Sequence, residues 1–416
     1  MEYEKTITIR DIAQLLGVKE LKARNGETFC VCPFCGDTRG KFSYIVNRNG
    51  RQNCFHCFHC GEHGGMMSLY EKVTGQKFTR KALGENFIPA VQEKETEIPE
   101  RVSDDTCNMV YKKLLSLLQL SEKHRDNLLK RGLSEAEILL FNFKSVPSFA
   151  EKGAIEKEMY FFCKKNGINP YGIPGLYSKN GKLKINLYSD GFLCPVYNKG
   201  KILGFQIRLD EPKDGQKYIW FSSSGKDRGI SSGSPTTFLK GKRADIIITE
   251  GILKSEVVYC LLDGEFSVVG LPGVGVQHEM GSIFRENPDA VFFEAFDADK
   301  FVKFSDRDIL INFKEKIQEG EKREELLKLP EYDSIKKALN INNAARMLAE
   351  AGRNYGCSVV QVRWNIQQER YWDGRQKGID DYLEYHKGFA NNSTQDFKER
   401  LVTEAEKIKE IKTFLK

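Results

Sequence analysis

The chain has 416 residues, 40% of them hydrophobic, which is enough apolar material for two or three separate cores. Its formal charge of +6 is small but unevenly placed: between Ser178 and Asp245, thirteen Lys and Arg stand against six Asp and Glu. No apolar run is long enough to cross a bilayer and no signal peptide opens the chain, so a cytoplasmic protein with no membrane contact is expected.

The apolar spacing of Ile9, Ile12, Leu15 and Leu16 predicts a short leading helix over Thr8 to Val18. Six of the eleven cysteines then fall between Cys30 and Cys60, and without a secretion signal that clustering points to metal rather than disulfides. Two Cys-x-x-Cys knuckles, Cys32-Pro33-Phe34-Cys35 and Cys57-Phe58-His59-Cys60, flank a strand-like Lys41 to Asn47 and a turn at Asn49-Gly50. That arrangement is a tetrahedral zinc ribbon. With the aromatic strand between its knuckles, it resembles the zinc ribbon of bacterial DnaG-like and phage primases. The resemblance implies Cys32, Cys35, Cys57 and Cys60 as the Zn2+ ligands, with Cys35 where that family often has His. Cys30, Cys54, His56 and His59 lie close by and are read as packing or solvent-facing residues, while His63 is expected to order the turn after the second knuckle. Cys107, Cys163, Cys194, Cys260 and Cys357 are scattered and read as ordinary core residues. Gly65 to Thr74 is helix-like and closes a zinc-ribbon domain of residues 1–76. Residues 77–105 carry Pro89, Pro99 and many charges, and are expected to be a tether.

Residues 106–243 are expected to be a helical and basic subdomain. Val110, Leu114, Leu117, Leu118 and Leu128 keep helical spacing. Gly132 then stops a helix, and Ser134-Glu135-Ala136-Glu137 is a capping box for the next. The run Leu128 to Ile138 also resembles the start of the DnaG-type polymerase domain, although its residues read simply as a well-capped helix-turn-helix. Antiparallel strands are predicted at Gly191 to Tyr197, Ile202 to Arg208 and Lys217 to Ser223. Alternation sets Phe205 and Ile207 on one face and Gln206 and Arg208 on the other. The sequence from Gly204 to Ser222 resembles the basic subdomain of DnaG-like primases. Arg208, Lys217, Lys226 and Lys240 are the candidate nucleic-acid and nucleotide contacts.

Residues 244–388 hold two apolar runs that stop at carboxylates, Asp245 to Gly251 and Ala290 to Asp299. Such runs suit parallel strands covered on both faces, with a ligand site beyond their carboxyl ends. In extended chain Asp297 and Asp299 project to one side, and Glu250 at the end of a neighbouring strand would join them. Three converging carboxylates suit a hard divalent ion, Mg2+ or Mn2+. Glu250-Gly251, the turn Gly270-Leu271-Pro272-Gly273, Asp297-x-Asp299 and Asp380-Asp381, in that order, resemble the TOPRIM fold of primases, topoisomerases and some nucleases. The expected fold is α/β multidomain: an N-terminal zinc ribbon, a mixed α+β basic subdomain and a TOPRIM domain on a central parallel sheet. Residues 301–340 read as a charged, water-facing insertion, and residues 389–416 as a C-terminal helical tail.

The resemblance implies a DNA primase that joins ribonucleoside triphosphates into short RNA primers on single-stranded DNA. Glu250, Asp297, Asp299 and Asp380 or Asp381 would be metal-associated and catalytic, and a separate replicative helicase would be a partner. One departure is Lys254, which stands where many relatives have an acidic residue; it would replace a metal contact and could touch phosphate. No further helicase-binding domain and no phosphate-binding P-loop is found, a compact build that resembles primases of phages or mobile elements. A non-catalytic single-strand-binding protein and a TOPRIM nuclease are the alternatives.

Overall fold

The computed structural model describes residues 7–24, 27–48, 51–79, 99–213, 215–273, 280–368 and 370–387. The expected tail helix and residues 80–98 of the tether lie outside them. Near the start come α1 (Ile9–Leu15), β1 (Glu20–Arg24), β2 (Glu27–Cys30), β3 (Phe42–Arg48), β4 (Arg51–Cys57), β5 (His63–Gly65) and α2 (Met66–Thr74). The five strands form one antiparallel sheet in sequence order. Helix α1 starts where it does because Asp11 Oδ2 accepts from the Thr8 amide at 2.7 Å and the Thr8 hydroxyl at 2.8 Å. Ile9, Ile12, Phe42, Tyr44, Phe55 and Leu69 make a small core between helices and sheet.

The helical part of the main body holds α3 (Asp104–Ser116), α4 (Glu122–Leu129), α5 (Glu135–Phe141), β6 (Lys144–Ser145) and α6 (Phe149–Lys165). The capping box at Ser134 and Glu137 forms as expected. Next come a hairpin, β7 (Leu176–Lys179) and β8 (Lys182–Ile185), and the strands β9 (Gly191–Asn198), β10 (Lys201–Lys213), β11 (Gln216–Trp220) and β12 (Thr237–Leu239). The chain continues through β13 (Ile246–Glu250), α7 (Ile252–Leu261), β14 (Ser267–Leu271), α8 (Met280–Glu286) and β15 (Val291–Glu294). Last are α9 (Arg307–Gln318), α10 (Arg323–Leu326), α11 (Asp333–Asn354), β16 (Ser358–Gln361), β17 (Ile366–Gln367), β18 (Tyr371–Trp372) and α12 (Ile379–Lys387).

One mixed sheet runs through this body in the order β11-β10-β9-β12-β14-β13-β15-β16, with β6 beside β9. Strands β14, β13, β15 and β16 are parallel, whereas β9, β10 and β11 are antiparallel. The short β12 joins the halves, antiparallel to β14 and bridged to β9 through Phe238 and Asn198. The basic strands and the carboxylate-bearing strands are therefore one continuous surface rather than two sheets. Period-2 alternation splits the apolar runs between two layers. Ile247, Val268 and Phe293 pack with Leu253, Val257, Leu261 and Leu383 on one face, and Ile246, Ile248, Val269 and Phe292 pack with Met280, Phe284 and Leu348 on the other. Gly270 lets α7 close onto β14, since a Cβ there would meet Ser255 Oγ at 2.3 Å; it sits inside the strand rather than in a turn.

Three expectations need correction. Strand β15 ends at Glu294, so Asp297 and Asp299 do not share a face of extended chain; they sit on a 3-10 turn, Ala298–Lys300, that Asp297 precedes. Buried Glu294 causes the break, because its Oε1 accepts from Phe296 N at 2.7 Å and Lys300 Nζ at 2.8 Å and folds the chain back. Secondly, the segment 301–340 does not simply face water: Val302, Leu310, Phe313, Leu326, Tyr332 and Ile335 form a core of their own with Tyr371. Thirdly, the end of that segment is not a separate insertion: residues 333–340 are the opening turns of α11, which runs on to Asn354. Near the end of the expected tether, Arg101 donates to Leu203 O and Ser232 O at 3.1 and 3.2 Å, and α3 starts at Asp104.

Candidate active site and metal centre

The two knuckles face each other across the ribbon. Cys32 and Cys35 lie on the turn after β2, Cys57 ends β4, and Cys60 is in the turn that leads to β5. Gly36 N donates to Cys32 O at 3.0 Å and Gly61 N to Cys57 O at 2.9 Å, so each knuckle is closed by its own backbone. All four sulfurs lie within 4.8 Å of one another, with Cys32 to Cys60 at 3.9 Å and Cys35 to Cys57 at 4.0 Å. Zn–S bonds of about 2.3 Å imply tetrahedron edges near 3.8 Å. The donor set therefore fits Zn2+ with little adjustment. Cys30 is buried outside this group and donates to Thr28 O at 3.7 Å. His63 Nδ1 donates to Gly61 O at 3.0 Å and holds the turn, as expected. His59 Nδ1 is 3.4 Å from Cys35 Sγ, an outer-layer contact that spacing alone does not separate from a ligand. The five scattered cysteines are buried.

At the carboxyl ends of the parallel strands, Glu250 closes β13, and the turn after the neighbouring β15 brings Asp297 to it. The two carboxyl groups are close enough for each to shift the other's titration. Burial first, then the Asp297 charge, push Glu250 up to about 8. Burial would raise Asp297 as well, but Lys254 and Glu250 override it and hold Asp297 at about 2. Burial and the neighbouring charge thus favour the neutral form of Glu250, while Lys254 favours the ionised form of Asp297.

Lysines surround these acids. Lys254 Nζ donates to Asp297 Oδ1 and stands 4.0 Å from Glu250 Oε1. Lys377 Nζ bridges Asp297 Oδ2 at 3.0 Å and Asp299 Oδ2 at 3.1 Å, and Lys337 Nζ reaches Asp299 Oδ2 at 2.6 Å. Asp380 comes in on the first turn of α12, raised by burial, with Arg131 Nη1 3.8 Å from its Oδ2. Asp381 is exposed and caps α12 by accepting from Gly378 N at 3.2 Å. Asp299 Oδ1 and Asp380 Oδ1 are buried without a hydrogen-bond partner. Unmet acceptors on hard carboxylates suit Mg2+ or Mn2+. Among the described residues, however, only the four cysteines gather three or more metal-ligating side chains within 4.8 Å, so the carboxylates are spread more widely than a closed metal cage.

The cationic residues divide. Arg208 on β10 lies 6.0 Å from both the Phe192 and Tyr218 rings, and its charge, with those of Arg131 and Asp380, is felt at Tyr218. Lys217 and Lys240 are exposed, and Lys226 stands 5.6 Å over the Tyr177 ring of the β7–β8 hairpin. Neither Arg208, Lys217, Lys226 nor Lys240 forms a salt bridge among the described residues. Phe205 and Ile207 are buried on one face as expected, but Gln206 is buried too, so only Arg208 of the opposite pair emerges. Sequence reasoning passed over Arg131, Lys337 and Lys377. The signal for Arg131 was its place in the Leu128 to Ile138 run; Lys377 stood beside the Asp380–Asp381 pair.

The sulfur geometry defines the N-terminal unit as a zinc ribbon. Residues 2–96 match the family model of the CHC2 zinc finger, the zinc ribbon of DnaG, and the ribbon is of that type. No curated protein matches the chain in sequence. Among solved structures, the zinc-binding and RNA polymerase domains of Aquifex aeolicus primase are 16% identical, with 96% of this chain and 86% of that one covered at a TM-score of 0.45. The RNA polymerase domain of Mycobacterium tuberculosis primase DnaG, solved with a double-stranded DNA oligomer carrying a 6-nucleotide overhang, is 12% identical over 73% and 82% of the two chains, TM-score 0.41. The primase fragment of the bacteriophage T7 primase-helicase is 13% identical over 86% and 94%, TM-score 0.25. Among the described residues no helix is long and apolar enough to cross a membrane.

Proposed function

We propose that the chain is a DNA primase: a nucleotidyltransferase that joins ribonucleoside triphosphates into short RNA primers on single-stranded DNA at a TOPRIM-type site. The observation that carries this reading is the meeting of Glu250 and Asp297 from adjacent parallel strands, on a sheet whose other half carries Arg208. The zinc ribbon would help choose where on the template synthesis starts. Arg208, Arg131 and Lys217 would hold template and triphosphate phosphates through charge, and base pairing with the template would supply the sequence. In the reaction a primer 3′-oxygen bonds to an α-phosphorus, the bond from that phosphorus to the β-phosphate bridge breaks, and pyrophosphate leaves. Mg2+ or Mn2+, when bound, neutralises the phosphate charge that builds up in that step. Asp299 would hold it, with Asp297, Glu250 and Asp380 beside it. Glu250 would accept the 3′-hydroxyl proton as the new bond forms, in the fraction of molecules where its own carboxyl is ionised. The setting would be the cytoplasm of a bacterial cell or phage-infected host, with a separate helicase opening the duplex.

The test is incubation of the zinc-loaded chain with varied single-stranded templates, ribonucleotides and Mg2+ or Mn2+. Short oligomers are expected, and Asp297→Asn should lower their yield at least about 100-fold, as for loss of a charge-stabilising group. Failure to make oligomers on any template would sink the reading. Lys254 favours a second one, a non-catalytic single-strand-binding protein: template binding without synthesis under either ion would support it.

A further inference from the structure

The cations around the acidic cluster are not equivalent. Lys377 and Lys337 reach it from outside, with 45% and 57% of their side chains exposed, so either can swing into water and yield its place. Lys254 has only 16% exposed. It projects from the first turn of α7, directly after the strand that carries Glu250, and lies against Asp297 and Glu250 together. Gly378 is needed on its other side, because a Cβ there would stand 3.2 Å from the ammonium and 2.1 Å from Asp380 Oδ1. Withdrawing Lys254 would leave the buried Asp297 with only the half-exposed Lys377 to balance its charge. A divalent ion needs oxygen contacts of about 2.0–2.6 Å. At Asp297 both oxygens already accept from ammonium groups, Oδ1 from Lys254 and Oδ2 from Lys377.

We propose that Lys254 is a built-in cation of this site: it permanently fills the position between Glu250 and Asp297 that a divalent ion would otherwise take. The cluster then splits into an inner half, neutralised by Lys254, and an outer half around Asp299. The Asp299 Oδ1 atom is unpartnered, and the lysines over Oδ2 can be displaced. The chain accordingly binds one divalent ion there and not two. The inference rests on reading the cluster as a divalent-ion site, but not on primer synthesis.

The experiment is Mn2+ titration of the full zinc-loaded chain, followed by electron paramagnetic resonance of free and bound ion. The wild type should take up one Mn2+ that Asp299→Asn abolishes and Asp297→Asn leaves within about twofold. Lys254→Met should gain a second equivalent, lost again when Asp297→Asn is added, and Lys254→Arg should stay at one. If the wild type already binds two ions, one of them sensitive to Asp297→Asn, or if Lys254→Met titrates like wild type, the proposal is overturned. Should Lys254→Met fail to fold, judged by thermal melting, the single Asp297→Asn variant decides alone: loss of the wild-type ion refutes the idea. Absence of oligomers with these isotherms intact would count against the primase reading and leave the role of Lys254 standing.

Discussion

Replacing Lys300 with Met tests the support beneath the candidate site. Lys300 and Glu294 have no exposed side-chain surface and pair at 2.8 Å, and Glu294 Oε2 has no hydrogen-bond partner to fall back on. Lys300→Met would leave Glu294 as an uncompensated buried charge, at a cost of about 3–5 kcal/mol. For a unit of this size each kcal/mol lowers the melting temperature by about 2–4 °C, so a fall of roughly 6–20 °C is expected. Adding Glu294→Gln removes the stranded charge and should restore at least half of the loss. The local effect should exceed the global one. Glu294 Oε1 also holds Phe296 N, and Lys300 N donates to Asp297 O at 3.0 Å, so amide exchange over 296–300 should accelerate first. Urea unfolding followed by tryptophan fluorescence is a suitable assay, since Trp364 lies 5.4 Å from the Lys300 ammonium. A loss below about 1 kcal/mol, or a double variant no more stable than the single, would refute the reasoning.

Three further expectations can be checked in parallel. Chelation, or Cys57→Ser, should release the ribbon's zinc and unfold residues 7–79, read as lost metal by atomic absorption and lost strand signal in circular dichroism, while the main body's melting stays in place. Glu256 on α7 is fully buried, neither of its oxygens has a partner, and burial raises its carboxyl well above the usual range. It is neutral when folded and ionised when unfolded above about pH 4.3, so its contribution to stability falls as pH rises from there. Glu256→Met should therefore stabilise by about 1–3 kcal/mol at pH 7, with a margin that widens in urea melts as pH is raised above about 4.3; a constant margin would contradict the assignment. Arg131→Ala should weaken single-stranded DNA binding and make the salt slope shallower by about 1, measured by anisotropy from 50 to 200 mM salt; an unchanged slope removes Arg131 from the phosphate wall.

What could be read from the chain, and what could not, follows from how far each signal travels along it. The zinc centre was legible to the residue because a knuckle is a local object: two cysteines three apart, on a turn closed by its own backbone, need no distant partner. The parallel strands were legible because burial on both faces demands the unbroken runs Ile246–Ile248 and Val291–Phe293. The Asp297–Asp299 geometry was misjudged because one buried pair, Glu294 with Lys300, turns the chain three residues early. Glu294 looks like the first acid after an apolar run, and nothing local says that its charge is consumed inside. The neutralising cations were harder still. Lys254 is four residues from Glu250 on the following helix and could be found by spacing, but Lys337, Lys377 and Arg131 arrive from three separate elements. Charge balance at a site is a sum over tertiary neighbours, whereas a motif records only the charges of one sign. A carboxylate motif in sequence therefore fixes where cations must gather, and leaves open whether the fold or the solvent supplies them. Here the fold supplies much of that charge itself, through Lys254, Lys337 and Lys377.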